Sequence, residues 1–290
     1  MNNGSSIRVG VAQVSSIPGD LTVNLEKHLE WIARGREAGL DLLVFPEVSL
    51  VGHHGAQQLL EVALHRDDPK LRQLADAAGD MRTVVGFIEE GPAAQFYNSA
   101  AVFKGGKLEH LHRKINIPTY GLLEEGKHYA KGRFVETWAV DDNWRAGVMI
   151  CADAWNPALV NLAFLHGATI LMMPISSALE AVGAEFDNPG GWGRTVRFYG
   201  MVYGAPIIMA NRCGPEGNLK FWGGSMIVDA FGRELVVAGE DEELIHADLS
   251  FENVRKARAL LPTVRDSDLS LVMRETTRLS EKLGVPDFIR

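Results

Sequence analysis

The sequence predicts an α/β fold made of two related halves. Short apolar runs of strand length alternate along the chain with segments of helical periodicity. The stretches 38–46 and 166–174 repeat the same order of helix end, glycine, buried apolar strand and proline. A wholly apolar strand is typical of a sheet that is covered on both faces. We therefore expect two similar helix-to-strand units that face each other across a common core.

The first half is expected to contain two helices and five strands. β-Branched residues alternate from Ile7 to Val14, which predicts the first strand. Asn24 can cap the first helix, which has an apolar face at helical spacing and ends at Gly39. Further elements are predicted as strands at 42–45, 83–88, 98–103 and 107–112, a helix at 69–78, and a polar loop at 113–132.

The second half begins with two strands and a clearly marked helix. Asn156 is a favoured N-cap, Pro157 fits the first helical position, and Gly167 ends this helix. Residues 177–191 are irregular and glycine-rich, so the segment 179–192 is a candidate lid. Further strands are predicted at 134–140, 145–150, 169–173, 207–210, 225–229, 234–237 and 243–247, and helices at 193–203, 251–259 and 269–283.

Domain organisation follows from the lack of any linker-like or low-complexity segment within the sequence. We expect a single domain over residues 1–290, with a core of about 7–266 and a C-terminal tail at 267–290. The tail is mostly polar and carries the last predicted helix.

Charge and cysteine content narrow the class of protein further. The chain has 29 basic and 37 acidic residues, a net charge of −8 with neutral histidines, so we expect no nucleic-acid or membrane partner. Two cysteines make no disulfide framework, and the first six residues lack the features of a secretory signal. No apolar run approaches the roughly 18 residues of a membrane span. We therefore expect a cytoplasmic protein.

Cys151 lies where a catalytic nucleophile would be placed. It follows the apolar run 146–150 and precedes the turn into the helix that begins after Asn156. A thiol at the tip of a strand is held rigidly, and N–H groups at a helix start lower the pKa of a nearby thiol. The alternative is a buried cysteine that only fills space in the core.

Two charged residues could take part in such chemistry. Glu47 follows the apolar strand 42–45, and a carboxylate buried there is a plausible base near neutral pH. Lys114 lies in a small basic segment of an acidic chain and could stabilise a developing oxyanion. The simpler alternatives are an exposed loop carboxylate and a solvated surface cation.

Other kinds of site lack support in the sequence. There is no phosphate-binding loop, no complete dinucleotide fingerprint, no serine nucleophile elbow and no His-Glu-x-x-His motif. The two cysteines are far apart, so we expect no metal site. A pair of Cys151 with His112 or His128 stays open from the sequence alone.

Three motifs occur in a fixed order along the chain. They are Phe45-Pro46-Glu47, His112-Arg113-Lys114 with Pro118 and Tyr120, and Ile150-Cys151-Ala152-Asp153. Matching segments accompany them at 124–127, 210–214, 221–232 and 258–262. This ordered set, from about residue 7 to residue 266, resembles the nitrilase superfamily of carbon–nitrogen hydrolases.

The resemblance implies a four-layer αββα sandwich and a site that needs no metal or organic cofactor. It implies that Cys151 is the nucleophile, Glu47 the general base and Lys114 the stabiliser of the tetrahedral intermediate. The N–H group of Ala152 would complete the oxyanion hole, and Glu125 matches a second glutamate that orients the lysine and the substrate. The resemblance also implies a homodimer or a larger homo-oligomer.

The implied reaction is hydrolysis of a non-peptide C–N bond in a small amide through a cysteine thioester. The residues after Cys151 are more similar to amidase-type and glutaminase-type members than to nitrilases. Hydrolysis of an N-carbamoyl amine or a nitrile is the alternative on the same fold, and a catalytically silent binding or scaffold protein is the alternative outside this class. Cys213 is expected to be a packing cysteine. Substrate contacts are expected from Tyr120, Ala152, Trp155 and Ser177.

Overall fold

The computed structural model describes residues 6–183 and 185–284. The strands are β1 (Ser6–Gln13), β2 (Leu42–Val44), β3 (Arg82–Glu90), β4 (Phe96–Lys104), β5 (Lys107–Arg113), β6 (Thr137–Ala139), β7 (Arg145–Val148), β8 (Ile170–Pro174), β9 (Ile207–Ala210), β10 (Cys213–Glu216), β11 (Leu219–Trp222), β12 (Met226–Val228), β13 (Glu234–Val237) and β14 (Glu243–Ser250). The helices are α1 (Leu21–Glu37), α2 (Leu59–Val62), α3 (Pro69–Ala78), α4 (Pro157–Leu165), α5 (Asn188–Tyr203), α6 (Phe251–Leu260) and α7 (Leu269–Leu283).

Two six-stranded sheets have the same pairing pattern. The first has the order β14-β1-β2-β3-β4-β5, and the second, taken from its other end, has the order β6-β7-β8-β9-β12-β13. Each contains one antiparallel pair, then two parallel pairs, then two antiparallel pairs. Strands β2 and β8, which carry the repeated sequence, are both third in this order. The predicted pair of related halves is therefore confirmed.

Three apolar cores separate the layers. Val44 of β2 and Met172 of β8 belong to the core between the two sheets. Their neighbour Leu43 packs in the core under α1 and α3, and Leu171 packs in the core under α4 and α5. Successive strand residues point to opposite faces, so a wholly apolar strand fills two cores at once, and each such side chain contributes about 1.5–3 kcal/mol. The predicted four-layer αββα sandwich is confirmed.

Two helix starts differ from the prediction. The N-cap of α1 is Asp20, which accepts a hydrogen bond from Val23 N, and Asn24 was the wrong choice. Asn24 lies inside the helix, where its buried side chain bonds the N–H and C=O of Ile17 and the C=O of Leu50. The polar residue at the start of the apolar periodicity therefore anchors a neighbouring loop.

The second difference concerns the candidate lid. Helix α5 begins at Asn188, not near Gly193, and Asp187 caps it by accepting from Gly190 N at 2.9 Å. Glycine occurs within this helix because α5 packs closely there. A Cβ at Gly191 would lie 3.2 Å from the Trp155 ring. Residues 188–192 of the candidate lid are therefore part of a helix.

A short hairpin, β10–β11, was not predicted. Its strands contain Pro215 and charged residues, so they lack the apolar alternation that marks a strand, and Gly217 makes the turn at φ 59°. Glu216 is nevertheless buried, because Arg212 forms an ion pair with it at 2.5 Å. Among the described residues, no helix is long and apolar enough to cross a membrane.

Candidate active site

Glu47 lies in a tight turn directly after β2. The next residue, Val48, has φ 44°, a conformation that is rare for a β-branched residue and persists only where the surroundings enforce it. A Cβ at Gly86 would lie 2.4 Å from both Pro46 O and Val48 N, so only glycine lets β3 approach this turn. Glu47 N donates to Ile175 O at 3.3 Å, which joins the turn to the other sheet. The side chain of Glu47 is 3% exposed, so the predicted carboxylate is buried.

Lys114 follows β5 and is completely buried. Its backbone is fixed on both sides, because Lys114 N donates to Asn98 O and Gly132 N donates to Lys114 O, each at 2.8 Å. Its Nζ donates to Glu47 Oε1 at 2.6 Å and to Glu125 Oε1 and Oε2 at 2.7 and 2.9 Å. Asn98 Nδ2 donates to Glu47 Oε1 at 2.8 Å. One ammonium group thus lies between two carboxyl groups.

The charges of this cluster depend on one another. Burial alone would lower the pKa of Lys114, but the carboxylates of Glu125 and Glu47 outweigh it and hold that pKa well above its usual value. Burial, opposed by Lys114 and assisted by Glu47, raises the pKa of Glu125 to about 7. Lys114 is therefore a permanent cation, while Glu125 exchanges its proton near neutral pH.

Cys151 begins a short 3₁₀ turn after β7 and has φ 44°. Burial and the negative charge of Glu47 raise the pKa of its thiol well above the usual value, although Lys114 and a backbone hydrogen bond with Ser176 oppose this. Cys151 is consequently a neutral thiol in the free protein. A neutral thiol needs a base that removes its proton before the sulfur can attack.

Asp153 joins the cysteine turn to the segment after β5. Its fully buried carboxylate accepts hydrogen bonds from Ile150 N at 3.1 Å, Ile115 N at 3.0 Å and Asn116 N at 2.7 Å. His112 Nε2 is bonded to the same carboxylate at 2.9 Å. Asp153 therefore fixes the positions of the cysteine turn and the lysine segment relative to each other, a role that only its place in the motif could have suggested.

All four predicted substrate contacts line one narrow cavity beside the thiol. Tyr120 is exposed to solvent, whereas Ala152 is buried. The ring of Trp155 contacts that of Trp192 at a centroid distance of 4.5 Å. Glu125 also reaches the cavity. The lining consists of Tyr120, Leu123, Glu125, Cys151, Ala152, Trp155, Ser176, Ser177, Ala181, Val182, Asn188 and Trp192.

The two serines after β8 differ in how their hydroxyl groups are used. Ser177 Oγ accepts from Asn188 Nδ2 at 2.8 Å and from Trp192 Nε1 at 3.1 Å, so it holds α5 in place. Ser176 Oγ is buried and has no hydrogen-bond partner among the described residues. Both serines follow an apolar strand in the sequence, but only Ser177 was predicted as a substrate contact. The period of two from Ile170 and Met172 nevertheless places Ser176 on the face between the sheets.

The histidines and the second cysteine lie outside this cavity. His112 is bonded to Asp153, and His128 lines a larger cleft of about 640 Å³ that reaches Glu47 and Glu125. Neither histidine lines the cavity of Cys151. Cys213 is buried in β10, where burial raises the pKa of its thiol to about 11. Within residues 6–183 and 185–284, no group of three or more His, Cys, Asp or Glu side chains could hold a metal ion.

Comparisons with known proteins agree on the family and the fold of this chain. A model of the carbon–nitrogen hydrolase family matches residues 8–259. A glutamine-dependent NAD(+) synthetase of Thermotoga maritima is 32% identical over 256 residues, which cover 86% of this chain and 43% of that protein. An (R)-stereoselective amidase of Pseudomonas sp is 30% identical over 275 residues, which cover 93% of this chain and 94% of that protein.

Solved structures with a similar fold include an amidase. The structure of an amidase from Nesterenkonia sp. superimposes with a TM-score of 0.75 and 25% identity, covering 89% of this chain and 96% of that one. The chain thus spans nearly the full length of the similar amidases, but about half the length of the NAD(+) synthetases that it matches.

Proposed function

Since the chain belongs to the carbon–nitrogen hydrolase family, we propose that it hydrolyses the C–N bond of a small amide through a thioester on Cys151. The observation that carries this proposal is the buried cluster of Glu47, Lys114 and Glu125 beside a neutral thiol. Such a cluster supplies a proton acceptor and a fixed positive charge, which are the two requirements of thiol attack on a carbonyl group.

The first half of the reaction forms the thioester. Glu47 accepts the proton of the Cys151 thiol, and the sulfur forms a bond to the carbonyl carbon of the amide. Lys114 Nζ and the N–H of Ala152 stabilise the negative oxygen of the tetrahedral intermediate. Glu47 then returns its proton to the nitrogen, the C–N bond breaks, and ammonia or an amine leaves. One oxyanion donor of this kind is typically worth about 3–4 kcal/mol of barrier lowering.

The second half of the reaction restores the thiol. Glu47 removes a proton from a water molecule, whose oxygen attacks the thioester carbon. The C–S bond breaks, the carboxylic acid leaves, and the thiolate takes the proton from Glu47. Glu125 keeps Lys114 in position through two hydrogen bonds at 2.7 and 2.9 Å.

The cavity favours a small acyl group. Trp155 and Trp192 form an apolar wall, and Ser176 Oγ offers a hydroxyl that no described residue uses. A buried hydroxyl without a partner costs about 1–3 kcal/mol, so a substrate oxygen or nitrogen that bonds it gains affinity. Full-length similarity to an amidase supports a simple amide, and similarity to glutamine-dependent synthetases makes the amide of glutamine the first specific compound to test.

Ammonia release from a panel of substrates tests the proposal. The panel contains small aliphatic amides, aromatic amides, L-glutamine, N-carbamoyl amines and nitriles. We expect turnover of at least one amide, its abolition in Cys151→Ala, and its retention in the matched variant Cys213→Ala. If only carbamoyl amines or only nitriles react, the protein hydrolyses that class of compound and not amides. If no compound reacts and iodoacetamide does not label Cys151 stoichiometrically even above the usual thiol pKa of 9.0, the protein is a silent binding protein on this fold.

We also propose that the chain forms a homodimer or a larger homo-oligomer. Helix α5 exposes Phe198 and Met201, and the neighbouring helix α4 exposes Leu162. An apolar patch on a helix face gains stability when a second subunit covers it. Sedimentation velocity should show a dimer or larger species, and Phe198→Glu with Met201→Glu should convert it to a monomer. A wild-type protein that sediments as a monomer at micromolar concentration would contradict this.

A further inference from the structure

A second concavity lies beside the strand that leads to Lys114. Its volume is about 440 Å³, and four basic residues line it: Arg66, Arg113, Lys131 and Arg133. Among the described residues, Glu136 is the one carboxylate that also lines it. We call this concavity the basic cleft. Such a concentration of positive charge is unexpected in a chain with a net charge of −8.

The floor of the basic cleft is rigid. Glu89 is completely buried and accepts two hydrogen bonds from Arg113, at 2.7 and 2.6 Å, and one from Ser99 at 2.8 Å. Arg66 approaches the same carboxylate at 3.3 Å. These hydrogen bonds, against the opposing effect of burial, keep the pKa of Glu89 below its usual value, so the carboxylate stays ionised. Two arginines therefore share one negative charge, and the floor carries a net positive charge.

The other two cations have no partner within the part of the chain that the structure describes. No ion pair or hydrogen bond between described residues involves the side chain of Lys131 or Arg133, and both are exposed. Their backbone is nevertheless fixed, because Gly132 between them donates to Lys114 O at 2.8 Å. A Cβ at Gly132 would lie 2.1 Å from Arg113 O, so this segment packs directly on the strand. Lys131 and Arg133 are therefore held by a fixed backbone next to the positively charged floor of the cleft.

Aromatic rings complete the cleft. The Arg113 guanidinium lies 3.9 Å from the centroid of the Tyr97 ring, a cation–π contact that holds both groups in place. Phe134 also lines the cleft, and 72% of this residue is exposed. A large exposed ring next to unpaired cations suits a ligand with an apolar planar part and an anionic part.

We propose that the basic cleft binds a small organic phosphate, with its phosphate group on Lys131 and Arg133 and its ring on Phe134. Arginine and lysine are the preferred partners of phosphate because they donate charge-assisted hydrogen bonds to its oxygens. The site is separate from the cavity of Cys151, so its ligand need not be the substrate.

Isothermal titration calorimetry of the whole protein with adenosine monophosphate tests this proposal. Ribose 5-phosphate serves as the probe for the phosphate part, and adenosine as the probe for the ring. We expect the monophosphate to bind more tightly than either part, and more weakly as salt is added. Lys131→Gln with Arg133→Gln should weaken binding at least about tenfold, which corresponds to the loss of one charge-assisted hydrogen bond.

Two further variants separate the parts of the proposal. Phe134→Ala should weaken binding of the monophosphate but leave that of ribose 5-phosphate unchanged. Arg72→Gln with Lys107→Gln removes the same number of exposed charges outside the cleft and should leave binding unchanged. The proposal is overturned if wild type does not bind the monophosphate. It is equally overturned if the Lys131 and Arg133 variant binds as tightly as the Arg72 and Lys107 control. Equal binding of monophosphate and ribose 5-phosphate would overturn the role of Phe134.

Discussion

Lys114 Nζ lies 2.6 Å from Glu47 Oε1, although the two residues are 67 positions apart in the sequence. Both side chains are shielded from solvent, so their attraction is stronger than at a surface and the pair has little freedom to move. In the proposed mechanism, the proton acceptor and the oxyanion stabiliser are therefore in place before a substrate enters.

Replacing Lys114 by methionine should affect both activity and stability. Turnover should fall by at least about 10²-fold, because the intermediate loses its cationic partner. The free energy of unfolding should fall by about 3–5 kcal/mol, because two buried carboxyl groups lose their counter-charge. Ammonia release and urea denaturation measure the two effects. Adding Glu125→Gln should restore part of the stability and none of the activity; wild-type turnover in Lys114→Met would refute the assigned role.

Glu125 should make stability depend on pH in a defined direction. Its pKa of about 7 in the folded protein exceeds the usual value of 4.5, so the folded state binds this proton more tightly than the unfolded state. The contribution of Glu125 to the free energy of unfolding therefore falls as pH rises from about 4.5 to about 7. The stability of Glu125→Gln relative to wild type should increase over the same interval.

Urea denaturation of both proteins at a series of pH values measures this difference. Glu124→Gln is the control, because Glu124 is exposed and its hydrogen bond with Lys127 lowers its pKa. The relative stability of that variant should be constant above pH 5. A relative stability of Glu125→Gln that does not change between pH 4.5 and 7 would contradict the raised pKa.

The thiol of Cys151 should be unreactive at neutral pH in the absence of substrate. Its pKa is raised by burial and by Glu47, so only a small fraction is thiolate. The rate of alkylation by iodoacetamide, followed by mass spectrometry of the Cys151 peptide, should rise with pH up to at least the usual thiol pKa of 9.0. A rate that levels off below pH 7 would indicate a preformed thiolate–cation pair instead.

Asp153→Asn should lower kcat more than it changes KM. An amide has one acceptor oxygen and brings an NH₂ group towards donors such as Ile150 N and His112, so the cysteine turn loses its fixed position. The free energy of unfolding should fall by about 2 kcal/mol or more. Asp141→Asn, in an exposed turn, is the matched control and should change little. Equal kcat and stability in wild type and Asp153→Asn would exclude the positioning role.

Ser176→Ala and Ser177→Ala should have opposite effects. The first variant removes the hydroxyl without a partner, so KM should rise while the melting temperature stays the same or increases. The second leaves Asn188 and Trp192 without an acceptor, so the melting temperature should fall. Thermal denaturation and steady-state kinetics on one amide decide the question. A raised KM in Ser177→Ala only would favour the contact expected from sequence.

The fold was predictable because its layers follow from local patterns. Wholly apolar strands such as β2 and β8 indicate two-sided burial, and the proline and glycine boundaries of α4 were correct. The cap at Asp20 and the helical start at Asn188 were missed although both capping bonds are local, from Val23 N to Asp20 and from Gly190 N to Asp187. Asn24 has the properties of a cap but is used by the loop at Leu50.

The sequence indicated which residues lie together in the candidate site, but not which hydrogen bonds join them. Three ordered motifs indicated Glu47, Lys114 and Cys151, and the structure brings them together with Glu125. The bonds of Asp153 and the unused hydroxyl of Ser176 depend on which side chains meet across two sheets. The spacing of residues within one segment does not predict such contacts between segments.

Mass spectrometry of the quenched enzyme shows whether Cys151 carries an acyl group during turnover, as the proposed mechanism requires. Wild-type protein is mixed with an amide that it hydrolyses, quenched in acid during steady state, and digested. We expect the mass of the acyl group on the peptide that contains Cys151, and an unmodified peptide around Cys213. Continued ammonia release from Cys151→Ala, with no acyl group on the wild-type cysteine, would contradict the proposed mechanism.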